Sequence, residues 1–457
     1  MSMAGETGKR AVLIVVSLNS FLLPFMISSV TIALPSIGRE FAMDAVLLSW
    51  VSTSYLLAAA IFLVPFGRIS DIYGRKRVFA YGMAIYTIAC FLSGISTSPL
   101  MLIASRILQG TGEAIGAGAG VAILTSVFPA GERGRVLGIN TATVYAGLSM
   151  GPFIGGLLTK QFGWRSIFLV NVPLGAIILA LVWKIKGEWS EAKGEKFDFT
   201  GAAIYSLALI AVMYGFSLLP APAGAGMILL GILGGIAFIK WEAKTMYPVL
   251  NTNLFRNNKL FAFSNIAALI NYSATFAVSF LLSLYLQYIK RLSPQSAGLI
   301  LVAQPIMMAV FSPFAGKLSD KIEPRVVAST GMAFTALSLF LFIFLSEKTS
   351  LAFIVLSLIL LGFGFALFSS PNTNAVMSSV EKRFYGVASG TLGTMRAVGM
   401  TFSMGIVTLI FALSMGRVQI TPEYYALFLG STKAAFAVFS VLCFLGIFAS
   451  LARGEVR

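Results

Sequence analysis

Gly67-Arg68-Ile69-Ser70-Asp71-Ile72-Tyr73-Gly74-Arg75-Lys76-Arg77 follows one long apolar run. A weaker copy, Gly316-Lys317-Leu318-Ser319-Asp320-Lys321-Ile322-Glu323-Pro324-Arg325, follows another. Each has a glycine, an aspartate four residues on, and then basic residues. The second copy is degenerate, with Glu323 where the first has Gly74. A charged connection that recurs between apolar runs points to a duplicated membrane unit. Internal duplication is a feature of transporters, whose substrate site lies between the two copies near the bilayer midplane.

The flanking sequence supports a membrane setting. Of 457 residues, 58% are hydrophobic and 11% charged, with mean hydropathy +0.89. A soluble domain carries roughly 25% charged residues, so this chain has too little charge to cover a wet surface. In lipid every backbone group must be paired internally, which leaves helices or a closed barrel. The apolar runs are continuous rather than alternating, so helices are expected. They fall near 11–35, 48–66, 78–96, 100–127, 136–159, 166–184, 200–219, 224–240, 261–289, 296–315, 326–346, 351–377, 387–414 and 426–451. Fourteen spans of roughly 20 residues leave short connections and no room for a soluble domain. Spans one to six and nine to fourteen form the two copies, and spans seven and eight an inserted pair. The expected units are 1–186, 187–259 and 260–457.

Basic residues orient the chain. Twenty-three lie on one side, among them Lys9, Arg10, Arg68, Arg75, Lys76, Arg77, Arg133, Lys186, Lys244, Lys317, Lys382, Arg383, Arg453 and Arg457. Seven lie on the other: Arg39, Lys160, Arg165, Lys290, Arg291, Lys348 and Arg417. Both termini are therefore expected in the cytoplasm of a cell that holds the protein in its plasma or inner membrane. The formal charge of +16 is topological. Its partners are anionic headgroups rather than nucleic acid. Lys9 and Arg10 precede an apolar run too long for a signal peptide, with no small-residue cleavage site after it, so a retained first span is expected.

Several chemistries are excluded. With no histidine there is no imidazole metal site, His-centred triad or His proton relay. Cys90 and Cys443 sit inside apolar runs without metal spacing, so no metal is expected. No catalytic constellation and no ATP-binding P-loop occur, so neither an enzyme nor an ATP-driven pump is expected. No cofactor is needed if an ion gradient supplies the energy.

Of 17 acidic residues, only Glu113 is embedded well within a span. A carboxylate at that depth costs about 2.5–3.5 kcal/mol on insertion scales and is functional by default. Arg106, Gln109, Gly110 and Glu113 lie at i, i+3, i+4 and i+7, on one stripe. Arg106 and Glu113 are roughly 10.5 Å apart along the axis, too far for easy pairing but near enough to share a wet cavity. A carboxylate out of water favours its neutral form, and one beside a cation its charged form. A change in either during cavity opening loads or releases a proton. A lone carboxylate also admits sodium. Packing is the competing reading for Arg106, and a structural hydrogen bond for Glu113.

The order and spacing of short motifs over nearly the whole chain resemble the major facilitator superfamily, and within it the fourteen-span drug:proton antiporter branch. The stretch 67–77 resembles its G-x-L-[AS]-D-x-x-G-[RK]-[RK] connection, with Ile69 for Leu. Ala33-Leu34-Pro35-Ser36-Ile37, Trp50, Tyr55, Trp164-Arg165, Asn171-Val172-Pro173-Leu174-Gly175 and Asp198-Phe199-Thr200-Gly201 resemble that branch. Arg106-x-x-Gln109-Gly110-x-Gly112 matches its fourth-span motif, associated with proton transfer. Gly147, Gly151-Pro152 and Gly155-Gly156 resemble the antiporter motif found among exporters. Their spacing by four lets a neighbouring helix approach closely, and Pro152 permits a bend.

The resemblance implies two six-helix bundles rocking about a central site, with small-molecule substrates. Asp71 is the expected gate, accepting bonds from a helix N-terminus across the two halves; Gly67 and Gly74 supply its turns, and Arg75 pairs with it or with lipid phosphate. The branch usually places an aspartate where this chain has Met26. One embedded acid suits one proton per cycle and a neutral or monocationic, mainly hydrophobic substrate. Candidates for the cavity wall are Asn19, Tyr55, Gln109, Tyr145, Asn265, Asn271, Tyr272, Gln287, Asn372, Asn374 and Arg396. Arg396, which follows Gly386-Val387-Ala388-Ser389-Gly390, resembles a family arginine and contacts either the gate or an anionic substrate. The expected protein is a monomeric exporter. A symporter or uniporter of a metabolite on the same fold is the alternative.

Overall fold

The computed structural model describes residues 6–185, 187–190, 192–246, 248–250, 252–381 and 385–454. Of the basic residues used for orientation, Lys186, Lys382, Arg383 and Arg457 lie outside the described residues, as does the side chain of Arg133. The described chain is all-helical. Among the described residues, fourteen helices are long and apolar enough to cross a membrane. Spans 1 to 6 are Gly8–Glu40, Ala45–Tyr73, Arg75–Gly94, Pro99–Val127, Arg135–Phe162 and Arg165–Lys184. Spans 7 and 8 are Phe199–Leu218 and Pro222–Glu242. Spans 9 to 14 are Lys259–Ile289, Pro294–Ser319, Pro324–Phe342, Leu351–Ser378, Tyr385–Ser414 and Pro422–Leu451.

Local chemistry sets the ends. Asp44, Ser98, Ser293 and Ser350 each accept an amide from the first turn of the helix that follows. Two spans expected to be continuous are broken. In span 9 the Ala277 amide is captured by the Ser403 hydroxyl at 3.0 Å, and the helix is interrupted at Phe276. It ends in a π-turn over Tyr285–Ile289. In span 10, Pro305 cannot donate to the Leu301 carbonyl, and the helix breaks at Val302.

Spans 1 to 6 pack on one another, as do spans 9 to 14. Spans 7 and 8 form a hairpin laid against spans 2 and 13. The Tyr205 hydroxyl donates to the Ala60 carbonyl at 2.9 Å, and Leu57, Ile61, Tyr205, Leu209, Met213 and Val398 form a small apolar cluster there.

The hydrogen bonds between the two bundles concentrate at one end, with Thr401 to the Leu56 carbonyl (3.2 Å) and Ser312 to Tyr145 (3.1 Å) lying deeper. Ser283 donates to the Thr31 carbonyl at 2.7 Å, and Gln287 to that of Ile32 at 2.9 Å. The Ala45 amide donates to the Val418 carbonyl at 3.1 Å, and Ser49 meets Thr408 at 2.8 Å. These latter contacts lie toward the end opposite the connection at 67–77. At the connection's own end, Gly138 of span 5 and Gly386 and Gly390 of span 13 face open space among the described residues. Among the described residues, the cleft is closed by these contacts at one end, and at the other these glycines border no neighbour.

Candidate functional site

The expected gate is built differently from a loop. Span 2 stays helical through Gly67 and Asp71 to Tyr73, and span 3 starts at Arg75. Gly67 makes no turn; its backbone lies against the Gly118 position of span 4. The turn falls on Gly74 alone, at φ +112°, a conformation that favours glycine. The Asp71 carboxylate pairs with Arg75 at 2.7 Å, and among the described residues it meets no residue of the second bundle. Arg75 also donates to the Ala122 carbonyl and to Ser126, pinning the turn to span 4.

The segment after span 6 straps this turn down. Glu188 accepts the amides of Lys76 at 2.7 Å and Arg77 at 3.2 Å, where the span 3 dipole is positive. The Arg75 amide donates to the Trp189 carbonyl at 2.8 Å, and Arg68 pairs with Glu195. Sequence reasoning missed Glu188 and Glu195, because nothing local ties them to a turn more than 100 residues away.

Glu113 lies on the arc of span 4 between two neighbours. Gly110, three residues earlier, abuts Tyr55 and Ala58 of span 2, whereas Gly116 and Gly120 face Asn19 of span 1. Among the described residues Glu113 forms no hydrogen bond or ion pair, and its Oε2 is buried. The Oδ1 of Asn19 is likewise buried and unpaired. Arg106 is not its partner. Arg106 is 1% exposed and donates to the Val51 carbonyl at 3.0 Å and to Gln109 Oε1 at 2.5 Å. Its guanidinium stacks over Tyr55 at 4.0 Å. Gln109 in turn donates to Cys90 Sγ at 3.0 Å. The structure thus places Arg106, Gln109 and Tyr55 inside the first bundle, with Arg106 about two helical turns and Gln109 about one turn from the acid.

The fifth-span glycines serve two neighbours. A Cβ on Gly147, Gly151 or Gly155 would strike Phe21, Ser28 or Ser29 of span 1. Ser29 donates to the Gly151 carbonyl at 3.0 Å. Gly156 points the other way: its Cβ would lie 2.6 Å from the Pro294 carbonyl of span 10. The Pro152 carbonyl occupies the space where Gly298 would carry a Cβ. The motif therefore packs span 5 within its own bundle and also against the second bundle at the sealed end.

The other cavity candidates separate. Gln287 belongs to the sealed end. Asn372 accepts from Arg453 at 2.9 Å and donates to the Ser264 carbonyl, inside the second bundle. Asn374 reaches Ser319 at 3.1 Å beside the degenerate connection. Asn265 and Asn271 are fully buried, and both amide atoms of Asn271 are unpaired. Tyr145, Tyr272 and Arg396 come together across the cleft. Ser312 donates to the Tyr145 hydroxyl at 3.1 Å, and Arg396 Nη2 donates to Thr373 at 2.7 Å. Arg396 lies 5.6 Å from the Tyr272 ring, which stands edge-on to Phe365. Sequence reasoning picked Asn372 and Asn374 but missed Ser312, Ser369 and Thr373. The i, i+4 spacing of Ser369 and Thr373 is the signal that marks that face.

A duplicated six-helix bundle with a cleft open at one end defines a membrane transporter. The Major Facilitator Superfamily model matches residues 16–250 and 265–456, and this chain belongs to that superfamily. It is 30% identical over 444 residues to the riboflavin transporter RibZ of Clostridioides difficile, covering 96% of each chain. It is 31% identical over 406 residues to the multidrug resistance protein Stp of Mycobacterium tuberculosis, covering 88% of this chain and 75% of that one. A solved peptide-transporter-family (POT) structure in complex with 5-aminolevulinic acid superposes with TM-score 0.74 at 14% identity, over 98% of this chain and 97% of that one. With fourteen spans and multidrug relatives, the chain falls in the fourteen-span drug-transporter branch. It is a multi-pass transporter of small molecules, and the even span count puts its termini on one side.

Proposed function

We propose that this chain is a proton-coupled antiporter that exports small, mainly hydrophobic compounds, neutral or monocationic, from the cytoplasm across a cell membrane. It works as a monomer surrounded by lipid, with both termini cytoplasmic. The observation that carries this reading is Glu113, an embedded acid with a buried oxygen that no described residue satisfies. A proton is the partner such an oxygen lacks. In this orientation the cleft is open to the cytoplasm, where a substrate enters. Rocking then breaks the contacts at Thr31–Ser283, Ile32–Gln287 and Gly156–Pro294 and brings Asp71 toward the second bundle. Glu113 takes a proton from outside, and the return stroke releases it inside. Residues 187–259 ride as an insert between the moving units 1–186 and 260–457. The resemblance of the fifth-span motif to that of exporters supports the direction, and the likeness to a multidrug resistance protein supports the substrate class.

The test is a compound panel in proteoliposomes. Wild type is expected to couple substrate movement to opposite proton movement, and Glu113→Gln to lose the proton flux. Substrate-driven proton counterflux that persists with Gln at 113 overturns the assignment. The likeness to a riboflavin transporter favours a second reading, a proton- or sodium-coupled symporter or uniporter of a metabolite. Substrate and ion moving in the same direction would select it.

A further inference from the structure

Among the described residues, Arg396 is an embedded cation without a counterion. It has five N–H donors in a fixed fork and no acceptor. One meets Thr373, while Nε is buried with no partner. Among the described residues no carboxylate lies within pairing distance of the guanidinium. A cation at this depth costs about 2.5–3.5 kcal/mol on insertion scales, and such a residue marks a substrate pathway when nothing nearby neutralises it. Its surroundings are those of a site. Three residues before it, a Cβ on Gly393 would meet only Leu63, at 4.0 Å, and Gly390 and Gly386 beyond it border the open end of the cleft. The Tyr272 ring stands beside the guanidinium with Phe365 edge-on at 5.2 Å. Tyr145, from the opposite bundle, accepts from Ser312 at 3.1 Å and is within electrostatic reach of Arg396. Since Ser312 donates to it, the Tyr145 hydroxyl keeps its own proton to donate.

We propose that Arg396, Thr373 and Tyr145 form the anion subsite of the substrate cavity, and that the preferred cargo is an amphipathic aromatic monoanion. Its carboxylate takes the free edge of the Arg396 guanidinium in a forked pair, the geometry that guanidinium and carboxylate share. Its ring lies on Tyr272 and Phe365. Thr373 holds the guanidinium in place, and Tyr145 adds a hydrogen bond from the facing bundle, so the anion touches both halves at once. This inference rests on the exporter reading and replaces the monocation expected there with a monoanion. A lipid phosphodiester offers the same oxyanion chemistry as a solute carboxylate.

Equilibrium binding tests the proposal apart from transport. The probes are 2-naphthoate and its neutral isostere 2-naphthamide, titrated into the full chain in phosphatidylcholine nanodiscs. Wild type is expected to bind the carboxylate about tenfold or more tighter than the amide, as a charged forked pair allows. Arg396→Gln brings the two affinities together, largely by weakening the carboxylate. Thr373→Val, which leaves the charge in place, reduces the preference in part. Equal binding of both probes to wild type overturns the proposal. So does an Arg396→Gln variant that stays folded yet weakens both probes alike, which is the behaviour of a gate contact. Nanodiscs rich in phosphatidylglycerol, at high salt to screen their surface, separate the two sources. A preference that persists assigns the site to the solute. One that vanishes assigns it to lipid phosphate and overturns the solute proposal. A wild-type preference alongside absent proton counterflux would sink the coupling scheme and leave the anion subsite standing.

Discussion

Arg106 and Arg396 are the same side chain at membrane depth in opposite bundles, and their surroundings differ. Arg106 is sealed in the first bundle by the Val51 carbonyl, Gln109 and the Tyr55 ring. Arg396 has one hydroxyl partner and an unpaired Nε beside an open cleft. An embedded charge that the protein satisfies belongs to the architecture. One that it leaves unsatisfied belongs to whatever arrives from solution. Glu113 falls on the second side of that division, and Arg453 on the first. Arg453 lies just past span 14 and donates to Asn372, to the Ser450 carbonyl and to Ser450 Oγ. Burial pulls its guanidinium down to about 10, still charged at neutral pH.

Substitutions separate the satisfied charges from the unsatisfied ones. Arg106→Ala should do the most damage. It strands the Val51 carbonyl and Gln109 and leaves a large void, together roughly 3–5 kcal/mol. The melting temperature in detergent should fall steeply and transport of every substrate should fail together; a stable, selective variant would contradict the division. Arg453→Met should cost less, roughly 1–3 kcal/mol, because the stranded Asn372 oxygen is the main loss. The readout is again melting temperature, with the substrate profile unchanged. Gly156→Ala acts on the seal instead. Its Cβ meets the Pro294 carbonyl, and a penalty of about 1–2 kcal/mol would raise the population opened at that end roughly five- to thirtyfold. Thiol labelling of a cysteine placed at Gln295 reports that opening. Arg396→Gln should change stability least, within about 0.5 kcal/mol, since it removes one hydroxyl contact. A melting temperature that falls as far as that of Arg106→Ala would make Arg396 architectural too.

The spans and the repeat were legible because membrane depth demands long apolar runs, and the copies at Gly67 and Gly316 kept their aspartates. The break at Val302 has a local cause in Pro305. The break at Phe276 does not, since it depends on Ser403 from another span capturing an amide. The stripe from Arg106 to Glu113 is real as helix geometry, yet it did not show that Arg106 turns toward Val51 and away from the cleft. Helical phase gives a direction from the axis, and only the neighbouring helices decide what stands there. For the same reason Tyr145 and Tyr272 could be named as candidates, while their meeting with Arg396 and Ser312 could not. Gly67 makes no turn, and close packing against Gly118 accounts for that glycine instead.

The most direct test of the account is whether position 113 is reached by water from each side in turn. Glu113→Cys, in a background with the buried Cys90 and Cys443 replaced by serine, can be exposed to a membrane-impermeant thiol reagent from either face. Modification is expected from the basic-connection side at rest, and from the opposite side once the bundles are cross-linked shut at that end. A thiol that reacts from neither face in either state would contradict it.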